Sequence, residues 1–286
     1  MEQELQMMRA PQKRRAGLTG FDLKVIALVL MVLDHIHYFF EFTGAVPLIF
    51  NQLGRLSAGL FLFSVVEGFV HTHNRKKYFL RIYLISLAMG LTLYGMLVFG
   101  VARGDGMVPL NQIMANFVVL LPMLQGCEWL GQRRWVRGLA ALLLPMAWPY
   151  LVLYLLCSLF PVLNGWVALV GFTVLPMHNL VMDGGTWYVL SGLLLYLLRK
   201  NRFLQAGGYF VFNLLVYGGM ALSVPGITAA EFFNTYFEWM CAFSALFMVF
   251  YNGERGKNIK SFFYVFYPAH VYVLFGLSCL VWDWLH

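Results

Sequence analysis

The sequence predicts an all-α fold, a polytopic bundle of transmembrane helices, and three observations support it. The chain of 286 residues is 60% hydrophobic and only 12% charged, about half the charged fraction of an ordinary soluble domain. Several apolar runs approach or reach the roughly 20 residues that a bilayer core requires. Basic residues lie in clusters between these runs, which is typical of the loops that orient membrane spans.

Ten apolar runs are the expected membrane segments. They lie at residues 23–43, 53–70, 79–100, 111–130, 139–160, 163–177, 186–198, 207–224, 232–250 and 262–285. The sixth and seventh runs are short, since about 13 residues of α-helix extend only about 20 Å. One of them is therefore expected to be re-entrant, tilted or broken, which is tolerated where protein or a cavity surrounds it. We predict nine to ten membrane segments, as nine full crossings and one partial segment; ten full spans, with two basic clusters outside, is the alternative.

The basic clusters predict the orientation. They are Arg9, Lys13, Arg14 and Arg15 with Lys24; Arg75, Lys76, Lys77 and Arg81; Arg133, Arg134 and Arg137; Arg199, Lys200 and Arg202; and Arg255, Lys257 and Lys260. Together they contain 18 of the 20 Lys and Arg residues. Because basic loops stay in the cytoplasm, residues 1–20 are predicted to be a basic cytoplasmic tail and residues 21–286 a single membrane domain.

Three further sequence features have simple interpretations. The tail is like the start of a signal peptide, but the first apolar run is too long and has no small-residue cleavage site, so we expect a retained span. The net charge of +7 is explained by the basic loops, and we expect the lipid bilayer, and no nucleic acid, as a partner. The four cysteines show no paired spacing, which indicates core residues and neither a disulfide framework nor a metal site.

The first span contains ionisable residues near its middle, and these are the leading site candidates. Groups such as Asp34 and His35 are costly at that depth and usually face a bundle interior or a water-filled cavity. On the predicted topology His270 reaches a similar level, with Arg55 above and Glu67 below. Neighbouring helical residues diverge by about 100°, so Asp34 cannot simply orient His35 and is expected to meet its own helix one turn on or another helix.

Other polar positions have two interpretations each. The loop at residues 71–77 is either an anchor that holds the chain at the cytoplasmic face or a phosphate-binding patch. His71 and His73 lack a carboxylate or cysteine that would complete a metal site, and no metal is expected. His178 lies in a polar stretch between two short apolar runs, as part of a turn or as a substrate-facing group.

Two stretches resemble the TraX family. The first hundred residues contain Lys24 through Asp34-His35, then Gly54-Arg55-Leu56-Ser57, Leu60-Phe61-Leu62-Phe63, Glu67-Gly68-Phe69, His71-Thr72, Lys76-Lys77-Tyr78 and Arg81. Near the C-terminus, the sequence FYVFYPAH from Phe263 to His270 is similar to the closing FYxFYPxH signature of that family. The middle of the chain matches only in hydropathy.

This resemblance implies a multi-pass acyltransferase of the bacterial plasma (inner) membrane. The best-known member acetylates the N-terminus of conjugative pilin, which implies acyl-CoA, in particular acetyl-CoA, as co-substrate with no bound cofactor. More remotely similar enzymes acylate sugars and glycans, and in them a histidine thirteen residues after an aspartate in the first span is essential. The interval from Asp22 to His35 is the same, which implies that His35 is the catalytic histidine. The acceptor stays open between a pilin-like peptide and a cell-surface glycan.

The candidate residues fit that chemistry. Acyl transfer from a thioester requires a base and a donor to the oxyanion, and we assign the catalytic roles to His35, Asp34 and His270. The oxyanion and substrate candidates are Arg55, Glu67, Tyr264, Tyr267 and His178. The candidates for the acyl-CoA phosphates are Arg75, Lys76, Lys77 and Arg81. The alternative is a proton-coupled transporter or flippase, in which Asp34, His35 and Glu67 form a proton relay.

Overall fold

A computed structural model of the chain describes residues 16–179, 184–257 and 260–286, so most of the predicted tail, residues 1–15, lies outside the described residues. Within these ranges the chain is helical, and the β-structure found there is an isolated bridge between Leu18 and Tyr251. The predicted all-α fold is confirmed.

The described residues form α-helices α1 to α12. They are Gly20–Phe40, Ile49–His71, Arg75–Phe99, Ile113–Gly131, Trp135–Tyr150, Asn164–Phe172, Gly185–Leu197, Arg202–Asn213, Gly219–Leu222, Ala229–Asn234, Ser244–Val249 and Lys260–Leu285. Short 3-10 turns occur at Glu41–Thr43, Pro161–Leu163 and Glu238–Phe243. Two π-helical turns, Leu151–Cys157 and Leu214–Gly218, extend α5 and join α8 to α9.

Helix α1 begins at a capping box that its own sequence supplies. The hydroxyl of Thr19 accepts a hydrogen bond from the backbone N–H of Asp22, at 3.3 Å, and the carboxylate of Asp22 accepts one from the N–H of Thr19, at 2.8 Å. This pairing satisfies two of the N–H groups that a helix start leaves open. Asp22 therefore fixes the start of the helix on which His35 lies.

Helices α1 and α2 pack closely through small residues on α2. A Cβ added at Gly54 would lie 2.3 Å from the Cβ of Asp34, so only glycine allows this approach. One turn further, the hydroxyl of Ser57 donates to the carbonyl of Ala27 at 2.9 Å. Small residues and hydroxyls of this kind are typical of helix contacts in membranes, where lipid removes the hydrophobic drive for association.

Helix α6 is a short helix within the sixth apolar run. It has nine residues, or about 13 Å of helix. Its last residue, Phe172, packs with its backbone carbonyl against Gly90 in the middle of α3. A Cβ added at Gly90 would lie only 2.0 Å from that carbonyl oxygen. The chain therefore leaves helical structure beside the middle of a long helix, not at its end.

Among the described residues, six helices are long and apolar enough to cross a membrane. They are Gly20–Thr43, Ile49–His71, Arg75–Phe99, Ile113–Gly131, Trp135–Cys157 and Phe262–Leu285. Shorter apolar helices lie at Pro161–Phe172, Gly185–Leu197 and Glu238–Val249. The predicted number of nine to ten segments is not confirmed, because the sixth to ninth apolar runs fold into short helices or into helices interrupted by π and 3-10 turns.

Gly54→Ala is expected to destabilise the protein by about 1–3 kcal/mol, the usual cost of overpacking, because its Cβ would collide with Asp34. The control is Gly95→Ala in α3, where nothing lies within 4 Å of the added Cβ. Alanine there should be neutral or stabilising by about 0.5–1 kcal/mol. Thermal unfolding of the two purified variants in detergent measures the difference. An unchanged melting temperature for Gly54→Ala would contradict the close approach of α1 and α2.

Candidate functional site

A contact between two buried histidines joins the first and last helices. Nδ1 of His35, on α1, lies 2.6 Å from Nε2 of His270, on α12. The rings are stacked, with centroids 4.8 Å apart and planes at 23°. Both side chains are more than nine-tenths buried. The structure therefore brings together two predicted site residues that are 235 positions apart in the sequence.

The neighbours of the two rings determine which nitrogens hold protons. Nδ1 of His270 lies 2.9 Å from the carbonyl of Phe266, which can only accept, so this nitrogen is the donor. In a neutral ring Nε2 of His270 is then an acceptor, and Nδ1 of His35 donates to it. We assign the unprotonated nitrogen of His35 as Nε2, from this hydrogen-bond network.

A third polar side chain donates a hydrogen bond to that unprotonated nitrogen. Nδ2 of Asn111 lies 3.0 Å from Nε2 of His35, and Asn111 is 8% exposed. Sequence reasoning missed Asn111 because it searched the spans for ionisable groups, and a neutral amide is not one. The signal that could have found it is the polar pair Asn111-Gln112 at the start of an otherwise apolar run.

The loop that supplies Asn111 is anchored to the end of α1. The guanidinium of the buried Arg103 donates to the carbonyl of Phe39 at 2.6 Å and to both carboxylate oxygens of Asp105, at 2.9 and 2.7 Å. These hydrogen bonds hold the pKa of the Asp105 carboxyl below its usual value. The anchor fixes the far end of the loop relative to α1, the helix that contains His35.

Asp34 faces away from His35 and pairs with α2. Its Oδ1 accepts from Nη2 of Arg55 at 2.9 Å. The same guanidinium nitrogen donates to Oδ1 of Asn51, also at 2.9 Å. The described structure thus gives Asp34 a cation on another helix as its partner, one of the two expectations from helical geometry.

Two cavities share part of their lining beside this site. One has a volume of about 490 Å³ and the other about 240 Å³. Four side chains line both of them, Met31, Phe61, Ile113 and Tyr267, and we refer to these as the collar. His35 lines the smaller cavity and follows Met31 by one turn of α1, on the same helix face.

The two cavities extend in opposite directions from the collar. On α1 the larger cavity is lined by Gly20 and Lys24 and the smaller by Asp34. On α2, which runs back along α1, the order is reversed: Arg55 lines the smaller cavity and Glu67 the larger. A path through both would therefore follow the long axis of the bundle, with His35 near its middle.

The larger cavity ends among basic side chains. Its lining includes Lys24 near the start of α1, His71 at the end of α2, and His73 and Arg255 in two loops. Its remaining lining is mostly aromatic and aliphatic, with Phe61, Phe63, Phe117, Phe263 and Phe266 among the residues. This cavity therefore offers positive charge at one end and an apolar channel towards the collar.

Glu67 lies in the wall of the larger cavity as half of an ion pair. Its Oε1 is 3.2 Å from Nη1 of Arg202, and its side chain is 12% exposed. The backbone carbonyl of Glu67 accepts from Nδ1 of His71 at 2.9 Å. The structure places this predicted candidate at the basic end of the bundle and not in the smaller cavity with His35.

The predicted phosphate-binding residues lie outside the linings of both cavities. Arg75 pairs with Glu128, with Nη2 and Oε1 3.5 Å apart, and its guanidinium lies 4.4 Å from the ring centre of Phe69. Lys76, Lys77 and Arg81 are exposed at the start of α3. The basic residues that line the larger cavity, Lys24 and Arg255, come from neighbouring clusters.

The smaller cavity is the more polar one. Beyond Asp34 and Arg55 its lining includes Asn213, Tyr217, Glu238 and Cys241. Cys241, like the other three cysteines, is a free thiol. Glu238 is exposed and forms no ion pair with the residues that the structure describes. The smaller cavity thus has a carboxylate in excess of its internal ion pair.

The remaining candidates divide between the cavities and the fold. Tyr264 lines the larger cavity and Tyr267 belongs to the collar. His178 is fully buried, with its Nδ1 2.7 Å from the hydroxyl of Thr186 and its Nε2 3.1 Å from the carbonyl of Met146. Both of its ring nitrogens are used in joining α5 to α7, and it lines neither cavity.

Comparison with known proteins gives two matches. A family model described as TraX protein matches residues 20–278. A probable fimbrial assembly protein, FimC of serogroup H1, from Dichelobacter nodosus, is 39% identical over 66 residues. That match covers 23% of this chain and 27% of the relative, so the chain spans about a quarter of the relative's length. No solved structure matches.

Asp34→Asn and Arg55→Gln are each expected to lower the free energy of unfolding by roughly 1–3 kcal/mol. A fully buried pair costs roughly 3–5 kcal/mol when one partner is lost, and this pair keeps 20% and 28% of its side-chain surface exposed. The double variant should lose less than the sum, because each single variant leaves one unpaired charge. Thermal or denaturant unfolding in detergent measures this, with the exposed Asp283→Asn as control. Fully additive losses would argue against the pair.

Proposed function

The chain belongs to the TraX family, and from that premise we propose that it is an integral membrane acyltransferase. It moves an acyl group from a coenzyme A thioester to an amine or hydroxyl of an acceptor at the membrane. The observation that supports this most strongly is the position of His35. His35 lines the smaller cavity one helical turn from Met31, which lines both cavities, so a donor in one and an acceptor in the other would both come close to it.

The larger cavity suits the donor. Coenzyme A is a multiply charged anion with a long, thin pantetheine arm that ends in the thioester. Lys24 and Arg255, with His71 and His73 beside them, supply positive charge for phosphates at the basic end. The apolar channel from there to the collar fits an acyl-pantetheine arm. In the predicted orientation this end faces the cytoplasm, where acyl-CoA is made.

The smaller cavity suits an acceptor with a positive charge. The charges of Asp34 and Arg55 cancel within their ion pair, which leaves the carboxylate of Glu238 in the lining. A protonated amine fits such a cavity better than a neutral sugar hydroxyl does. The D. nodosus relative is a probable fimbrial assembly protein, and the best-known TraX member acetylates pilin. We therefore propose a pilin-like N-terminal amine as the acceptor, before a cell-surface glycan.

The chemistry at His35 is general-base catalysis. The protonated amine first loses one proton to water. The neutral nitrogen then attacks the thioester carbon and forms the new C–N bond, while a further proton passes from it to Nε2 of His35. His270 accepts a hydrogen bond from Nδ1 of His35 and holds the ring in the tautomer that leaves Nε2 open. The C–S bond then breaks, and the leaving thiolate takes the proton back from Nε2. The products are the acylated acceptor and free coenzyme A.

His35→Ala should lower kcat for coenzyme A release by about 10²–10⁴, the usual contribution of a positioned acid–base group. The variant should fold with reduced stability, because the change leaves the buried Nε2 of His270 without its partner. The matched control is His178→Gln, another buried histidine, which should reduce stability more than turnover. Purified variants at equal folded amounts are assayed with acetyl-CoA and a peptide that has a free N-terminal amine. Full activity in His35→Ala would refute this mechanism, while proton-coupled transport without coenzyme A release would favour the transporter alternative.

The variant pair Lys24→Ala and Arg255→Ala should raise the KM for acetyl-CoA more than it lowers kcat, because phosphate contacts are the same in ground and transition states. The control is Arg137→Ala, an exposed basic residue at the start of α5 that lines neither cavity. Replacement of Lys76 and Lys77 tests the cluster that the sequence favoured. A KM effect confined to Lys76 and Lys77 would contradict the donor site at the end of the larger cavity.

A further inference from the structure

The side-chain amide of Asn111 is buried, and only its nitrogen has a hydrogen-bond partner among the described residues. Its Nδ2 donates to Nε2 of His35 at 3.0 Å. Its Oδ1 is buried and has no hydrogen-bond partner among the described residues. A buried acceptor left open costs free energy that a purely structural amide would avoid, and such groups in native structures call for an explanation. The amide is therefore held at this point by His35 alone.

The amide of Asn111 occupies the position that a substrate must take. A general base has to be within hydrogen-bond reach of the proton that it removes, and the nitrogen available for this on His35 is Nε2. In the resting protein Asn111 is the donor there, in the place of the acceptor's N–H or O–H group. An acceptor can reach the base only after this amide has turned away.

The main chain at Asn111 stays fixed when the side chain turns. Asn111 precedes α4, and its carbonyl accepts a hydrogen bond from the hydroxyl of Tyr267 at 3.5 Å. Tyr267 and Ile113, two residues further along, are both members of the collar. Rotation about the side-chain bonds of Asn111 therefore moves its amide beside the collar, next to the point where the thioester would lie.

We propose that Asn111 is a catalytic residue with two positions: the acceptor displaces its amide from His35, and the freed N–H group then donates to the thioester oxygen. This inference rests on the proposed acyl transfer. As the acceptor nitrogen bonds to the thioester carbon, the C=O π electrons move onto oxygen, and Nδ2 of Asn111 stabilises that oxyanion. When the C–S bond breaks, the carbonyl re-forms and the amide returns to Nε2 of His35.

Kinetics of Asn111→Ala tests the second position. Loss of one oxyanion donor should lower kcat by about 10²–10³, with little change in KM for acetyl-CoA or the acceptor peptide. Binding of a thioether analogue of acetyl-CoA, which has no carbonyl oxygen, should be unchanged. The control is Gln205→Ala in α8, which removes another fully buried amide, one whose nitrogen and oxygen are both hydrogen-bonded. Wild-type kcat in folded Asn111→Ala, or an equal loss in analogue binding, would overturn the proposal.

Histidine tautomers test the first position and do not depend on turnover. In wild-type protein labelled with ¹⁵N-histidine, NMR should show His35 protonated at Nδ1 and open at Nε2, with His35→Gln used for assignment. In Asn111→Asp the carboxylate can only accept, so His35 should take up a second proton at Nε2 while its Nδ1 still donates to His270. With no unprotonated nitrogen left as the base, kcat should fall below that of Asn111→Ala. A wild-type His35 protonated at Nε2 would overturn the proposal.

The same assays separate this inference from the proposed function. If wild-type protein releases no coenzyme A with any amine or hydroxyl acceptor, acyl transfer is wrong and the role of Asn111 is wrong with it. If wild-type protein is active and Asn111→Ala is equally active, acyl transfer stands and only the inference about Asn111 is refuted.

Discussion

The hydrogen bond between His35 and His270 is the interaction on which the site depends. In a bundle interior neither lipid nor bulk water can replace a lost partner, so two buried imidazoles that face one another stay paired. The bond joins α1 to α12, the first and last long helices of the described chain. Because the carbonyl of Phe266 fixes the proton on His270, the bond also determines which nitrogen of His35 is open. The same hydrogen bond thus holds α1 against α12 and sets the tautomer of His35.

A second face of α1 is held by a different kind of contact. Asp34 and His35 are neighbours in the sequence, yet they point to different partners, because about 100° separates them on the helix. The glycine at position 54 lets α2 approach until Arg55 can reach Asp34. Helix α1 is consequently fixed on both sides, by an ion pair towards α2 and by the histidine pair towards α12. His35 lines the smaller cavity, and these two contacts hold its geometry rigid.

The sequence alone predicts those site residues whose burial in a membrane span costs free energy. Ionisable groups at mid-span depth are expensive, so Asp34, His35 and His270 could be found from hydropathy, and their similar depth followed from counting residues along each helix. Asn111 could not be found in this way, because a neutral amide does not stand out against an apolar run. The cations at the larger cavity were also not predictable in detail. Arg75 is in a basic cluster like Lys24 and Arg255, and only the fold shows that Glu128 engages it. The predicted number of membrane segments was not confirmed, since π and 3-10 turns interrupt apolar runs that are continuous in the sequence.

The central claim is that donor and acceptor reach His35 from opposite ends of the bundle. It is tested most directly in proteoliposomes of uniform orientation, with acetyl-CoA on one side and an amine-bearing peptide on the other. Both are too polar to cross the bilayer unaided. The account predicts acetylated peptide on the side away from acetyl-CoA, and none when His35 is replaced by alanine. Acetylation only when both substrates are on the same side would contradict it.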